Sequence, residues 1–490
     1  MSSPSSNAVR SGHTAIVAFG SNVGDRIDMI EQACRKLDGH PQTRVLRTSC
    51  LWETKPMYFE DQDNFLNGVC EVSTSLEPEK LLDLLQDIEK DLGRVKVIDK
   101  GPRTVDLDIV LYDDIQYASE RLTIPHALML EREFVLRPLC ELIPDAAHPK
   151  YPTMSYRHVL ARLPKSDPPM STVTPLAPGL PPIIALNPSR HTQIMAIINL
   201  TPDSFSDGGL HSPSDTTSLQ TTLLSALNSG ATILDLGGQS SRPHAAPIPD
   251  STELARLAPA LHLLRSLSSP SPPSPPSSSS SSSPQAKTNP PRFAISIDTY
   301  RASVAHAAIT AGAHLINDIS AGTLDPAMLR TVASLGCSIC LMHMRGDPQT
   351  MMQPPHTTYA PELGGVLGGV ARELRARVAA AEAAGVRRWR ILLDPGLGFA
   401  KTAGQSLELV RGLANLREAE GLSGLPWVLG PSRKGFVGKA LGVGREPGER
   451  EWGSAAAVAA CVQGGADVVR VHEVGAMRDV VRVSDAIWRV

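Results

Sequence analysis

The sequence predicts two domains in series, a ferredoxin-like α+β unit followed by a TIM (β/α)8 barrel. Residues 14–112 alternate in the order β-α-β-β-α-β, the ferredoxin-like signature. In the C-terminal three-fifths of the chain, eight apolar runs each end in a polar residue, and a helix-like segment follows each one. Barrel strands are buried and read as continuous Val/Ile/Leu runs, while reactive residues collect where each strand meets its following loop.

In the first unit the strands are expected at Thr14–Phe19, Thr43–Glu53, Leu66–Ser73 and Thr104–Tyr112. The helices are expected at Gly24–Asp38, with Ile27, Ile30, Cys34 and Leu37 on one face, and at Pro78–Leu92, with Leu81, Leu85, Ile88 and Leu92 aligned and Gly93 as the stop. A Pro-punctuated tail follows, ending in a short helix near His158–Leu163. Residues 165–190 are Pro-rich and break both periodicities, so they are expected to be a stiff linker. That divides the chain into 14–164, the linker, and a barrel over 191–490.

The barrel runs are AIINL before Thr201, TILDL at Asp235, FAISI at Asp298, HLIN at Asn317, CSICLM at His343, RILL at Asp394, WVLG before Ser432-Arg433-Lys434, and DVVRV at Arg470 and His472. Its helices are clearest at Leu219, Leu223 and Leu227, at Arg372–Ala384, and after Glu449. A Ser/Pro insert at 266–291 cannot bury apolar area and is expected to be disordered, at the barrel end opposite the chemistry.

A chain of 490 residues, 42% hydrophobic, has core enough for both units. Formal net charge is −3 with signs interspersed, which gives no broad field for nucleic acid or an anionic membrane; phosphate binding must be local. No run approaches the roughly 18–20 apolar residues of a membrane-spanning helix. The Ser-rich opening lacks an apolar signal core, so the cytoplasm is favoured over the mitochondrion. Seven scattered Cys suit reduced thiols, and the Cys337/Cys340 pair lacks the second pair that a zinc site needs.

Asp106 and Asp108 lie two apart on a strand, so their side chains share a face with Cα atoms about 7 Å apart. That like-charge pair costs roughly 2 kcal/mol at an effective dielectric of about 20, and a divalent cation reverses the sign. Arg94, Lys96, Lys100, Arg103, Arg121, His126 and Arg132 lie nearby in sequence, as a polyphosphate requires. On spacing alone, a plain solvent-facing strand with ordinary surface cations stays open.

FGSNVGDR at 19–26, ETKPMYFEDQDNFLN at 53–67, GPRTVDLDIVLYD at 101–113, IPHALMLEREFVLRPL at 124–139 and Pro144 together resemble 6-hydroxymethyl-7,8-dihydropterin pyrophosphokinase. The resemblance implies transfer of pyrophosphate from ATP to the hydroxymethyl group of a reduced pterin, with Asp106 and Asp108 holding two Mg²⁺. It implies that Arg94, Arg103, His126 and Arg132 neutralise the triphosphate, with Lys96 where an Arg is common and Glu89 as a nucleotide-contacting carboxylate. Thr54, Pro56, Phe65, Asn67 and Phe134 would form the pterin slot. The loop before Gly101 departs from bacterial relatives, with Asp99-Lys100 where they have a Trp.

NLTPDSFSDGG at 199–209, DLGGQSSRP at 235–243, SIDT at 296–299, INDISAG at 316–322, MHMRGDP at 342–348, LDPGLGFAKT at 393–402, GPSRKGF at 430–436 and RVHEV at 470–474 resemble dihydropteroate synthase. This implies that Asp298, Asn317 and Asp394 bind the pterin edge, that Asp235 belongs to the substrate-binding set, that Lys434 lies against the ring, and that Ser432 and Arg433 shape the site. Asn199, Ser241, Arg242, Arg470 and His472 would form the diphosphate pocket, with Asn199 helping to hold one Mg²⁺. Arg242 and Lys434 are the expected catalytic residues of the condensation with p-aminobenzoate, and His244 replaces a Gly common in the family. As alternatives, the sequence leaves open a pterin-dependent methyltransferase-like barrel and a non-catalytic pterin-binding scaffold.

The two resemblances imply a bifunctional folate-biosynthesis enzyme, homo-oligomeric through its barrel. Related fungal chains can carry an aldolase ahead of these domains. Nothing before residue 14 could hold one, so that activity is expected on another chain, or the sequence is truncated.

Overall fold

A computed structural model describes residues 12–57, 60–94, 101–201, 216–243, 245–268, 293–442 and 445–490. In the first unit β1 (His13–Ser21), β2 (Thr43–Thr48), β3 (Leu51–Thr54), β4 (Phe65–Thr74) and β5 (Asp106–Tyr112) form an antiparallel sheet. Strand β1 lies between β4 and β5, and both β2 and β3 pair with β4. The expected strand Thr43–Glu53 is thus two strands that share a partner. A small hairpin, β6 (Tyr117–Ala118) with β7 (Thr123–Ile124), follows.

Helices α1 (Arg26–Gly39) and α2 (Pro78–Asp91) cover one face of the sheet; α3 (Glu133–Leu142) and α4 (Tyr156–Arg162) cover the other. Helix α1 starts where the Asp25 carboxylate accepts from the Asp28 amide at 3.0 Å, as N-caps do. Gly93, at φ +78°, follows α2 in the left-handed region that glycine tolerates.

The second unit is an eight-stranded parallel barrel: β10 (Gln193–Asn199), β11 (Ile233–Gly237), β12 (Ala294–Asp298), β13 (Leu315–Asp318), β14 (Ser338–Met342), β15 (Ile391–Asp394), β16 (Val428–Leu429) and β17 (Val468–Val471). All eight expected runs supply a strand. A bridge between Leu393 and Trp427 closes the ring from β15 to β16. Inside its lower half Met195, Ile233, Ala294, Leu315, Cys340, Leu392, Val428 and Val468 pack together, one residue from each strand.

The Pro-rich linker is corrected. Its middle folds into β8 (Ser171–Thr174) and β9 (Ile183–Ala185), which extend the first sheet from β3. Leu176 and Ile183 also pack against the eight-residue ring and plug the barrel floor. A spacer was expected because Pro breaks periodicity, but short strands survive between prolines at a sheet edge. Thr172 Oγ1 donates to Gly424 O at 2.6 Å, and Ser338 Oγ donates to Pro175 O at 3.0 Å.

The turn before β15 completes the junction. Trp389 is fully buried in the core of the first unit, edge-on to Phe19 at 5.8 Å, and its Nε1 donates to Glu31 at 2.7 Å. Arg390 reaches the same Glu31 oxygen at 2.8 Å, and the Arg388 amide donates to Thr48 Oγ1 at 3.0 Å. Residues 266–268 of the Ser/Pro insert close the helix Asp250–Ser268, so the expected disorder is corrected there. The rest of that insert lies outside the described residues.

Candidate active sites

The first site sits where β1, β4 and β5 meet the loops around them. Asp106 and Asp108 project from one face of β5 because strand side chains alternate. Asp106 is held by Arg94 at 2.6 Å and by Arg103 Nε at 3.2 Å. Asp108 lies at the exposed mouth, yet crowding by the protein and then the Asp106 charge push its carboxyl upward, against the pull of Arg94, Arg103 and Arg132. Two adjacent carboxylates, one raised by the other, form a hard-oxygen donor set that fits Mg²⁺.

Glu89 is turned inward. Burial raises it to about 7, and it accepts from the Leu107 amide at 2.7 Å while gripping Arg94. His126 is anchored by its amide to Val110 O at 2.9 Å; burial and then Arg132 lower its pKa, while Asp106 pulls it up. Arg132 lies over the Phe134 ring at 5.6 Å, and Arg103 over the Phe65 ring at 4.8 Å. Thr54 and Phe65 pair across β3 and β4, with Asn67 Nδ2 donating to Thr54 Oγ1 at 2.8 Å and Pro56 half-buried beside them. Arg94, Arg103, His126 and Arg132 thus gather around Asp106 and Asp108, whereas the expected Arg121 is drawn off to Glu79 and Asp83 on α2, and Lys96 and Lys100 lie outside the described residues.

Asn22 was not singled out from sequence, although the FGSN motif contains it. Its Oδ1 accepts from the Arg103 amide and its Nδ2 donates to Gln62, both at 2.9 Å, which ties three loops together. A cavity of about 470 Å³ opens beside it, lined by Asn22, Gln62, Asp63 and Pro102 among others.

The barrel site follows from strand geometry. Moving up two residues keeps a side chain on the same face. Two residues above the apolar floor, that rule gives Asp235, Ser296, Asn317, Asp394 and Arg470. Arg470 Nε reaches Asp235 at 2.6 Å and Nη2 reaches Asp298 at 2.7 Å. Ser296 Oγ and Asn317 Nδ2 also donate to Asp235, at 2.6 and 3.1 Å. A Cβ placed on Gly237 would lie 3.7 Å from Asn199 Oδ1 and 3.9 Å from Asp298 Oδ2, so Asn199 joins this rim. Asn199 offers one carboxamide oxygen, a fit for a cation only if phosphate oxygens supply most of the shell.

Lys434 Nζ donates to Leu397 O at 2.6 Å and lies 4.8 Å from the Phe399 ring centre. Burial lowers its pKa to about 8, with Asp394 opposing. Asp394 accepts from the Gly396 amide at 2.7 Å; burial raises it, with Lys434 and Arg470 opposing. Ser432 Oγ meets His472 Nδ1 at 3.0 Å. Burial and then Arg433, Arg470, Arg242 and Lys434 hold His472 neutral down to about pH 3. The field of exposed Arg242 thus reaches this rim, and Ser241 precedes it as a half-buried residue of the same loop. Arg433, at φ +59°, pairs with Glu473.

Arg301 was also missed. It joins Gln239 at 2.6 Å, Ile248 O at 2.6 Å, Asp250 at 2.9 Å and Glu253, and so braces both ends of the loop that carries Ser241 and Arg242. Its signal in the sequence is its place three residues after Asp298. Cys337 and Cys340 are buried free thiols, and among the described residues no group of three or more His, Cys, Asp or Glu gathers for a metal.

Residues 16–144 match the family model for 7,8-dihydro-6-hydroxymethylpterin-pyrophosphokinase. Residues 195–271 and 285–472 match the model for pterin binding enzymes. A folic acid synthesis protein of Pneumocystis carinii is 44% identical over 96% of this chain, and the chain spans 60% of its length. A mitochondrial folate synthesis bifunctional protein of Arabidopsis thaliana is 37% identical over 97% of this chain and 83% of its own. A Plasmodium falciparum HPPK-DHPS solved with pteroate superposes with a TM-score of 0.79 at 21% identity, covering 98% of this chain and 96% of that one, and so shares the fold.

Proposed function

The chain belongs to the family of bifunctional folate synthesis proteins that join a hydroxymethyldihydropterin pyrophosphokinase to a pterin-binding barrel, and on that premise we propose that it carries out both reactions in order. Residues 14–164 transfer pyrophosphate from ATP to 6-hydroxymethyl-7,8-dihydropterin, and residues 191–490 condense that diphosphate with p-aminobenzoate.

In the first reaction the hydroxymethyl oxygen attacks the β-phosphorus of ATP, AMP leaves and the alcohol proton is lost. Asp106 and Asp108 are the residues that hold Mg²⁺, two ions in our reading, and the metal supplies charge neutralisation on the phosphates. Arg94, Arg103, His126, Arg132 and Lys96 bind the triphosphate. Glu89 acts through its grip on Arg94, while Thr54, Pro56, Phe65, Asn67 and Phe134 seat the pterin.

In the second reaction the aryl amine nitrogen bonds to the pterin methylene, the C–O bond to diphosphate breaks and the amine sheds a proton. Asp298, Asn317 and Asp394 accept from the pterin edge, Asp235 completes the substrate site by holding Asn317 and Arg470, and Lys434 lies against the ring with Ser432 and Arg433 shaping its pocket. Asn199, Ser241, Arg242, Arg470 and His472 bind the diphosphate, and Asn199 is the residue that would help to hold one Mg²⁺, which would supply charge neutralisation on the leaving group. Preorganised charge at the leaving group is the main source of rate. The observation that carries this reading is the polar ring set above a sealed apolar floor, with Arg470 bridging Asp235 and Asp298. Incubation with hydroxymethyldihydropterin, ATP, Mg²⁺ and p-aminobenzoate tests it: AMP and dihydropteroate should both form, absence of AMP removes the first half, and absence of dihydropteroate even from supplied pterin diphosphate removes the second.

Two copies are expected to pair through the barrel, where Trp452 is 88% exposed and Val483 and Ile487 also face outward. Sedimentation should give twice the chain mass. The compartment we assign is the cytoplasm rather than the mitochondrion; seven free thiols support a reducing one. Among the described residues no helix is long and apolar enough to cross a membrane. Cell fractionation checks the assignment.

A further inference from the structure

Beside Asp394 and Lys434, in the loops that follow β14 and β15, lies a chain of titratable groups that neither reaction uses directly. Lys401 is 1% exposed. Its amine reaches His343 Nδ1 at 2.9 Å, Phe399 O at 2.8 Å and His343 O at 3.2 Å, three neutral acceptors and no carboxylate. A buried lysine without a counter-charge is costly. Asp394 is the stronger anionic influence on it, and a second carboxylate sits one ring away, because His343 Nε2 meets Glu373 at 3.0 Å while Arg345 forks that same carboxylate. With a proton on Nε2 facing Glu373 and a lone pair on Nδ1 facing Lys401, the imidazole is neutral and joins cation to anion.

We propose that Glu373, His343 and Lys401 form a relay that fixes the loop 395–401 and keeps Asp394 ionised for the pterin edge. The proposal rests on the reading of the barrel as a dihydropteroate-forming site.

The loop is clamped from both sides. Lys401 holds Phe399 O, while Lys434 holds Leu397 O and lies over the Phe399 ring. Gly396, at φ +69°, leaves no room for a side chain: a Cβ there would lie 2.1 Å from His343 O and 3.3 Å from Lys401 Nζ. The Asp394 backbone is tied in as well, since the His343 amide donates to Asp394 O at 2.8 Å. Lys401 is thus a positioning residue that acts through Asp394 and Phe399.

The charges around each group give the sign. Asp394 faces Lys434 from beyond β16, Arg470 on β17, Lys401 from its own loop, and the thiols of Cys340 on β14 and Cys461 on the helix Glu451–Gln463. Lys401 faces Asp394, Lys434, Arg345 and, through His343, Glu373 on the helix Gly365–Ala383. Burial lowers Lys401 to about 7, so its charge is sensitive to what lies at the far end of the relay. Removing that charge takes one stabilising cation from the Asp394 carboxylate. Its pKa then rises, and the acid limb of activity moves to higher pH.

The test measures kcat/KM against pH for dihydropteroate formation from preformed pterin diphosphate and p-aminobenzoate, with AMP formation by the same chain as the folding control. In Lys401→Met the acid limb should move up by about one unit. In Glu373→Gln, a half-exposed position, it should move the same way by less, because the His343 ring that places Lys401 loses its anchor. Lys401→Arg should keep the limb in place. Variants that lose rate and Tm with an unmoved limb would overturn the relay and leave a structural lysine. A wild-type chain that forms no dihydropteroate would overturn the barrel reading and the relay with it.

Discussion

Arg470 on the last barrel strand bridges Asp235 and Asp298 on the second and third, with Nε 2.6 Å from one carboxylate and Nη2 2.7 Å from the other. One planar fork therefore sets the spacing of two carboxylates across the barrel mouth. Lysine carries the charge but not the fork. Arg470→Lys should lower kcat/KM for dihydropteroate formation by about 100-fold or more, with AMP formation unchanged. Steady-state assays of both products in one chain check this, and equal loss of both would point to unfolding instead.

Asp106→Ala and Asp108→Ala should each abolish AMP formation while dihydropteroate still forms from supplied pterin diphosphate. Calorimetric titration with Mg²⁺ and a non-hydrolysable ATP analogue should show lost heat in both variants. Near-normal AMP release from either would refute the metal role.

Lys434 gives the barrel a basic limit. Its ammonium is buried and titrates near 8 instead of in the ordinary lysine range. Above that pH it is neutral, so kcat/KM for dihydropteroate should fall as pH rises through about 8 in the free enzyme. Lys434→Arg should remove the limb along with most of the rate, since arginine stays charged. A wild-type profile flat to pH 9 would exclude this lysine as the controlling group.

Arg301 braces the loop that carries Ser241 and Arg242 at Gln239, Ile248, Asp250 and Glu253. Arg301→Met should raise KM for p-aminobenzoate several-fold, with a smaller effect on kcat. The same loss in kcat alone would mean that the loop is not the element it controls.

Trp389→Ala should cost about 3–5 kcal/mol, the usual price of emptying a buried tryptophan site. The indole comes from the barrel's chain but fills the core of the first unit, so urea unfolding should change for both halves. Two transitions should separate where the wild type shows one. An unchanged first transition would show that Phe19 and Glu31 do not need it.

The barrel was legible because strands buried on both faces leave continuous apolar runs, and each run stops at a residue that packing does not require. Asp235, Asn317 and Asp394 could be read that way from sequence alone. The floor plug was not legible: Ser171–Thr174 and Ile183–Ala185 are short strands set among prolines, and they resemble a tether. Trp389 sits in an Arg-rich turn that reads as surface, and only the folded chain brings Glu31 to it. Likewise Lys401 finds His343 across 58 positions and His343 finds Glu373 across 30, spacings that carry no periodic signal.

The hairpin that plugs the barrel floor also belongs to the first unit's sheet, so the two catalytic halves meet at the barrel's blind end. On the proposed reading, the phosphorylated pterin leaves one half into bulk water and enters the other from the open rim. Its supply then obeys ordinary mass action, so a scavenger of the free intermediate should compete with the second half as effectively as if the halves were separate molecules.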